Sequence, residues 1–82
     1  MDQERAVRDL LRDVLSLGAR ADLLRDDSAL LGALPELDSM AVVEVIAAIE
    51  ERFGVTVDDD EISASTFATL ASLVRFVEQK MA

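Results

Sequence analysis

The sequence predicts an all-α fold, a small three-to-four-helix bundle with a long loop between the first and second helices. Three observations carry that expectation. The chain is only 82 residues long and half of it is apolar, so it can close one small core and no second one. Leu, Val, Ile and Ala supply that apolar half, with three Phe, no Trp or Tyr, and a single proline at position 35. Apolar residues recur at three- and four-residue steps in three separate stretches, the spacing of one helical face.

The first stretch runs from about Gln3 to Leu17, with Val7, Leu10, Leu11, Val14 and Leu17 on one face. Asp2 is placed to cap it and Gly18 to stop it. A connection from Ala19 to Asp38 follows, long for a compact domain. Its leucines, Leu23, Leu24, Leu30, Leu31, Leu34 and Leu37, favour burial. The reading is therefore a loop lying across the bundle, with a helical turn after Ser28. Pro35 disfavours helix at Leu34 and delays the next helix beyond it. That helix runs from Ser39 to Phe53, capped by Asp38, ended by Gly54, with Val43, Ile46, Ala47, Ile49 and Phe53 turned inward. Val55-Thr56-Val57 is β-branched but has no evident strand partner. The acids from Asp58 to Glu61 suit the first turn of a short helix. Thr69 caps the last helix, which reaches Lys80 through Leu70, Leu73, Val74 and Val77, with Phe76 at the edge of that face.

Composition excludes more chemistry than it offers. With no Cys there is no disulfide, thiolate nucleophile or thiolate metal site, and with no His there is no Ser-His-Asp triad. The one lysine, Lys80, lies at the end of the chain. Paired carboxylates would need a substrate cleft that this length hardly provides. Asp58, Asp60 and Glu61 open like a calcium loop, but the fifth position is Ile62, the glycine position Ser63 and the closing acid position Thr69, so no metal site is expected. Met1-Asp2-Gln3-Glu4 has none of the basic and apolar regions of a signal peptide, and no apolar run reaches membrane length. A cytoplasmic protein without membrane insertion is the expectation.

Net charge is −9, which disfavours nucleic acid as a partner and favours basic protein surfaces. Nearly all of that charge falls between Glu36 and Glu61, where nine acids face one base, Arg52. Within this acidic stretch stands Leu37-Asp38-Ser39-Met40. Asp and Ser are both common at a helix start, and that plain reading stays open. The alternative is chemical: a serine in the first turn is exposed beside free N–H groups and the positive end of the helix dipole, where an attached phosphodiester is well tolerated.

The stretches Leu31-Gly32-Ala33-Leu34-Pro35-Glu36-Leu37-Asp38-Ser39-Met40-Ala41-Val42-Val43-Glu44 and Ile49-Glu50-Glu51-Arg52-Phe53-Gly54 resemble the acyl carrier protein family. Its pattern is Gly-Asp-Ser-Leu, then a helix with an internal Glu that ends like Leu-Glu-Glu-x-Phe-Gly. The resemblance spans about Asp2 to Val77 and implies a monomeric carrier that is not itself an enzyme. It implies that Ser39 receives 4′-phosphopantetheine from coenzyme A through a phosphopantetheinyl transferase that recognises Asp38. It also implies that Leu37, Met40, Val43, Glu44, Ala47, Glu50 and Glu51 meet acyl ligases, acyltransferases or synthases bearing basic docking patches. Ile46, Ile49, Phe53, Val57, Phe67 and Leu73 would line an interior for the acyl chain, or serve only as core.

Three departures from the family pattern stand out. Leu37 replaces the usual glycine, so the turn into the helix should differ and a leucine should join the recognition surface. Ala41 stands where many fatty-acid carriers have an acid, and Arg52 interrupts the acidic helix end. The phrase from Ala33 to Met40 is similar to stand-alone carriers of bacterial exosortase and exopolysaccharide systems. An aminoacyl or aryl carrier for a ligase, or an unmodified helical interaction domain, are the alternatives.

Overall fold

The computed structural model describes residues 2–82; the side chains of Asp2 and Asp59 are outside the described set. Three α-helices form the frame: α1 (Asp2–Leu15), α2 (Ser39–Phe53) and α3 (Leu70–Met81). Two 3-10 helices, Gly18–Leu23 and Asp59–Glu61, interrupt the connections. Helix α1 packs against both α2 and α3. The core between them is Val7, Leu10, Leu11 and Leu15 from α1, Ala41, Val45 and Ile49 from α2, and Leu70, Leu73 and Val77 from α3. Among the described residues no helix is long and apolar enough to cross a membrane.

Helix α1 ends at Leu15, two residues short of the expected Leu17. Ser16 takes the left-handed conformation (φ 55°), and the Leu17 N–H reaches back to the Arg12 carbonyl at 3.1 Å. Leu17 then folds inward, 4% exposed, completing the hydrogen-bond and apolar contact pattern of a left-handed helix stop. Gly18 instead opens the first 3-10 helix, which the sequence reading lacked. The expected cap, Asp2, is the first helical residue, and its capping role falls on a side chain outside the described set.

The long connection is an ordered strap. The Arg8 guanidinium, donated by α1, holds the carbonyls of Ala21 (3.0 Å) and Leu24. Further along, Leu30 and Leu31 N–H donate to the carbonyls of Ala68 and Phe67, both at 3.0 Å, around an antiparallel bridge between Ala29 and Thr69. In return the first N–H groups of α3, on Leu70 and Ala71, donate to Ser28 (3.1 Å) and Asp26 (2.8 Å). These are helix-end donors that lack intrahelical partners, and the strap satisfies them. Thr69 Oγ1 accepts from Ser72 N–H at 3.1 Å, completing a capping box with the Ser72 hydroxyl. The helical turn expected after Ser28 is present, closed by Leu34 N–H to the Leu30 carbonyl at 3.0 Å. Leu30 and Leu37 are buried as expected, but Leu23 (76% exposed) and Leu31 (43%) stay in solvent. The Leu31 backbone is tied where it is by its N–H on the Phe67 carbonyl.

Val55-Thr56-Val57 is not a strand. It leads from Gly54, left-handed at φ 65°, into the short Asp59–Glu61 helix expected from its acids.

Candidate functional site

Helix α2 begins where the local chemistry says it should. Asp38, extended at φ −94° and ψ −174°, accepts the Ala41 N–H on its carboxylate at 2.8 Å and the Val42 N–H on its carbonyl at 3.0 Å. The turn before it is fixed by Leu37 N–H donating to the Leu34 carbonyl at 3.0 Å. Outside that turn, Arg20 grips the Glu36 carboxylate with both guanidinium nitrogens. These hydrogen bonds hold the Glu36 carboxyl below the usual carboxylate range and push the Arg20 guanidinium up.

Ser39 is the first residue of α2 and is exposed. Position in the helix leaves its own N–H and that of Met40 without intrahelical acceptors. The other serines are placed differently. Ser16 follows the C-terminal, negative end of α1. Ser28 accepts from Arg25 N–H, Ser63 and Ser65 hydrogen-bond to each other, and Ser72 is engaged in the α3 cap. Of the six serines, Ser39 alone joins solvent exposure, a helix start and a hydroxyl without a hydrogen-bond partner among the described residues. An anion attached at its Oγ would meet two free N–H donors and the positive helix end. The neighbouring Asp38 carboxylate is turned onto Ala41. The residues present therefore fit a phosphodiester.

The remaining candidates separate by exposure. Met40 (73% exposed), Val43 (65%), Glu44, Ala47 and Glu51 lie open on α2 beyond Ser39. Val43 and Ala47 thus leave the inward stripe in which periodicity placed them; Ala41, Val45 and Ile49 occupy it. Leu37 is a second correction. It is 4% exposed and belongs to the core, because the Leu34–Leu37 turn tucks it beneath the start of α2, so it cannot join a recognition surface. Ser16 is the only non-glycine at positive φ among the described residues, so the Leu37 backbone has no need of the glycine it replaces. Ala41, 6% exposed, occupies a core position.

Glu50 is placed differently from the other α2 acids. It is half-buried, and its Oε2 accepts the Val57 N–H at 2.8 Å. Sequence reasoning made it a docking acid; nothing in the local sequence signals a bond that spans the Gly54 turn. Arg52 crosses to α1, pairing with Asp13 at 2.8 Å. Of the interior candidates, Ile49, Phe67 and Leu73 are buried, while Ile46, Phe53 and Val57 are half-buried against the same core. Two surface depressions, one bounded by Arg5, Arg8 and Asp22 and the other by Ser63, Ser65 and Arg75, include none of these six.

A serine displayed at a capped helix start is placed to be modified and presented. The family model of the phosphopantetheine attachment site matches residues 5–77. The acyl carrier protein of Sulfurovum sp. (strain NBC37-1) is 34% identical over 65 residues, covering 79% of this chain and 83% of that protein. The solution NMR structure of a holo acyl carrier protein from Nitrosomonas europaea superposes with a TM-score of 0.91 at 60% identity, over 99% of this chain and 98% of that one. The chain belongs to the acyl carrier protein family. Its function is that of a carrier, not a catalyst: a covalently attached 4′-phosphopantetheine bears the acyl group for other enzymes to use.

Proposed function

We propose that the arm is attached through Ser39 Oγ, and that this carrier presents acyl thioesters to basic partner enzymes along the open face of α2. The observation that supports the site is the singular placement of Ser39 among the serines, exposed at the Asp38-capped helix start. When bound, the arm supplies a terminal thiol that forms the thioester, which is why a chain without cysteine suffices. The chain's own part is to hold Ser39 outward, to donate the Ser39 and Met40 N–H groups toward the phosphodiester, and to keep the hydroxyl clear of internal partners. Asp38 serves twice, as helix cap and as the carboxylate that the phosphopantetheinyl transferase meets beside its target.

The docking surface in this reading is Met40, Val43, Glu44, Ala47 and Glu51, apolar and acidic groups that complement a basic enzyme surface with an apolar centre. Acyl ligases, acyltransferases or synthases carrying such patches are the partners, and the carrier works as a monomer in the cytoplasm, where coenzyme A and the transferase meet it. The interior of Ile46, Ile49, Phe53, Val57, Phe67 and Leu73 is the place where an acyl chain would tuck. The departures at Leu37, Ala41 and Arg52 and the phrase from Ala33 to Met40 favour a carrier specialised away from general fatty-acid synthesis, of the exosortase or exopolysaccharide kind.

Incubation of the apo-protein with coenzyme A and a broad-specificity transferase, followed by intact mass measurement, tests the reading. A gain of one phosphopantetheine is expected. An unchanged mass in folded protein would overturn it.

A further inference from the structure

The segment between α2 and the second 3-10 helix has little backbone bonding of its own. It leaves α2 through Gly54, whose N–H donates to the Glu50 carbonyl at 3.0 Å, and closes only at the Asp58 carbonyl, which accepts Glu61 N–H at 3.0 Å. Two carboxylates pin it. Glu50 Oε2 reaches back from α2 to accept Val57 N–H at 2.8 Å. At the very next residue Glu61 accepts Asp58 N–H at 2.9 Å, and it also takes the Lys80 ammonium of α3 at 2.8 Å. Around these two adjacent anchors Val55, Val57 and Ile62 turn half-buried side chains onto the core.

We propose that Glu50 is the latch of this segment, a positioning residue that holds Val57 as part of the interior wall, and not a docking acid like Glu44 and Glu51. A charge-assisted bond to an amide that has no backbone acceptor ties the end of the segment back to α2. Its loss loosens the Val55-Thr56-Val57 stretch between Gly54 and Asp58, which Glu61 still holds, while the three helices, which do not depend on it, stay packed. Substitution of Glu50 therefore acts on access to the interior, whereas substitution of Glu51, its exposed neighbour, acts only on surface charge. The use of that interior by an acyl chain rests on the carrier reading above. The latch itself does not, and the experiment uses unmodified protein, so its failure leaves the assignment of Ser39 untouched.

Amide hydrogen exchange at Val57 and Leu73, followed by NMR in the wild type, Glu50→Ala, Glu50→Gln and Glu51→Ala, reads the latch. Glu50→Ala should accelerate Val57 exchange about tenfold or more while Leu73 changes by less than about twofold. Glu50→Gln keeps a carbonyl oxygen within reach and should restore part of the protection. Nile red emission, which reports accessible apolar surface, should rise in Glu50→Ala and not in Glu51→Ala. Unchanged Val57 exchange in Glu50→Ala, equal effects of Glu50→Ala and Glu51→Ala, or Val57 and Leu73 accelerating together in both Glu50 variants would each overturn the proposal.

Discussion

Replacing Asp38 separates two jobs that share one carboxylate. In the structure Asp38 caps α2 through a single 2.8 Å bond from Ala41 N–H. Removing such a cap costs about 1 kcal/mol, within a range of about 0.5–2. Stabilities of about 0.05–0.15 kcal/mol per residue are usual, so this loss is a sizeable fraction of the total. Asp38→Ala should therefore lower Tm by about 4–8 °C, the shift that about 1 kcal/mol produces in a domain of this size. Asp38→Asn keeps the capping oxygen and loses only the charge–dipole contribution, about 0.3–1 kcal/mol at low salt. In high salt, where that contribution is screened, Asp38→Asn should melt with the wild type and Asp38→Ala should not. Thermal unfolding followed by circular dichroism gives both numbers. The same Asp38→Asn protein should still be a poorer transferase substrate if the carboxylate is what the enzyme recognises. Equal destabilisation by the two substitutions in high salt would refute the capping argument, since the amide caps as well as the acid.

Leu37→Ala should cost about 2–3 kcal/mol in denaturant unfolding, because it empties a buried site; a loss under about 0.5 kcal/mol would return Leu37 to the surface. The Glu61 carboxyl sits below its ordinary value of 4.5 because Lys80, and then Asp58 N–H, hydrogen-bond to it. A depressed carboxylate stabilises the fold above its unfolded value and loses that contribution as pH falls through the lower folded value. Stability should thus fall more steeply below pH 4.5 in the wild type than in Glu61→Gln, and matching slopes in acid denaturation would contradict this. Raising salt should increase the transferase KM for the carrier, since exposed acids such as Glu44 and Glu51 attract over a screening length of about 8–10 Å at ordinary ionic strength. A KM indifferent to salt would remove electrostatic steering from the account.

What was legible in the sequence was what local chemistry decides. Asp38, Thr69 and Gly54 cap or stop their helices as expected because a cap needs only the residue and the turn beside it. The face of α2 was not legible. Met40, Ala41, Val42, Val43, Val45, Ile46, Ala47, Ala48 and Ile49 are apolar almost all round the helix, so periodicity cannot say which side faces in. Val43 and Ala47 were read inward for that reason, while the family resemblance put them outward, where they are found. The first 3-10 helix was missed because Gly18-Ala19-Arg20-Ala21-Asp22-Leu23 has no apolar period. Distant groups hold the strap after it, among them Arg8 on the carbonyls of Ala21 and Leu24. For Leu37 hydropathy favoured the burial that is found, and the surface reading followed from its place in the family pattern; the Glu50 bond to Val57 spans the Gly54 turn, which a one-dimensional pattern does not contain.

The proposed attachment site rests on features that are nearly all local. Asp38 and Ser39 are adjacent, the helix follows at once, and the donors that welcome a phosphate are those of the first turn. The measurement that bears most directly on it is tandem mass spectrometry of the protein after reaction with coenzyme A and the transferase, beside Ser39→Ala treated alike. The phosphopantetheine should be found on Ser39 alone, and the Ser39→Ala protein should stay at its unmodified mass. An arm on Ser16, Ser28, Ser63, Ser65 or Ser72, or a modified Ser39→Ala protein, would contradict the account.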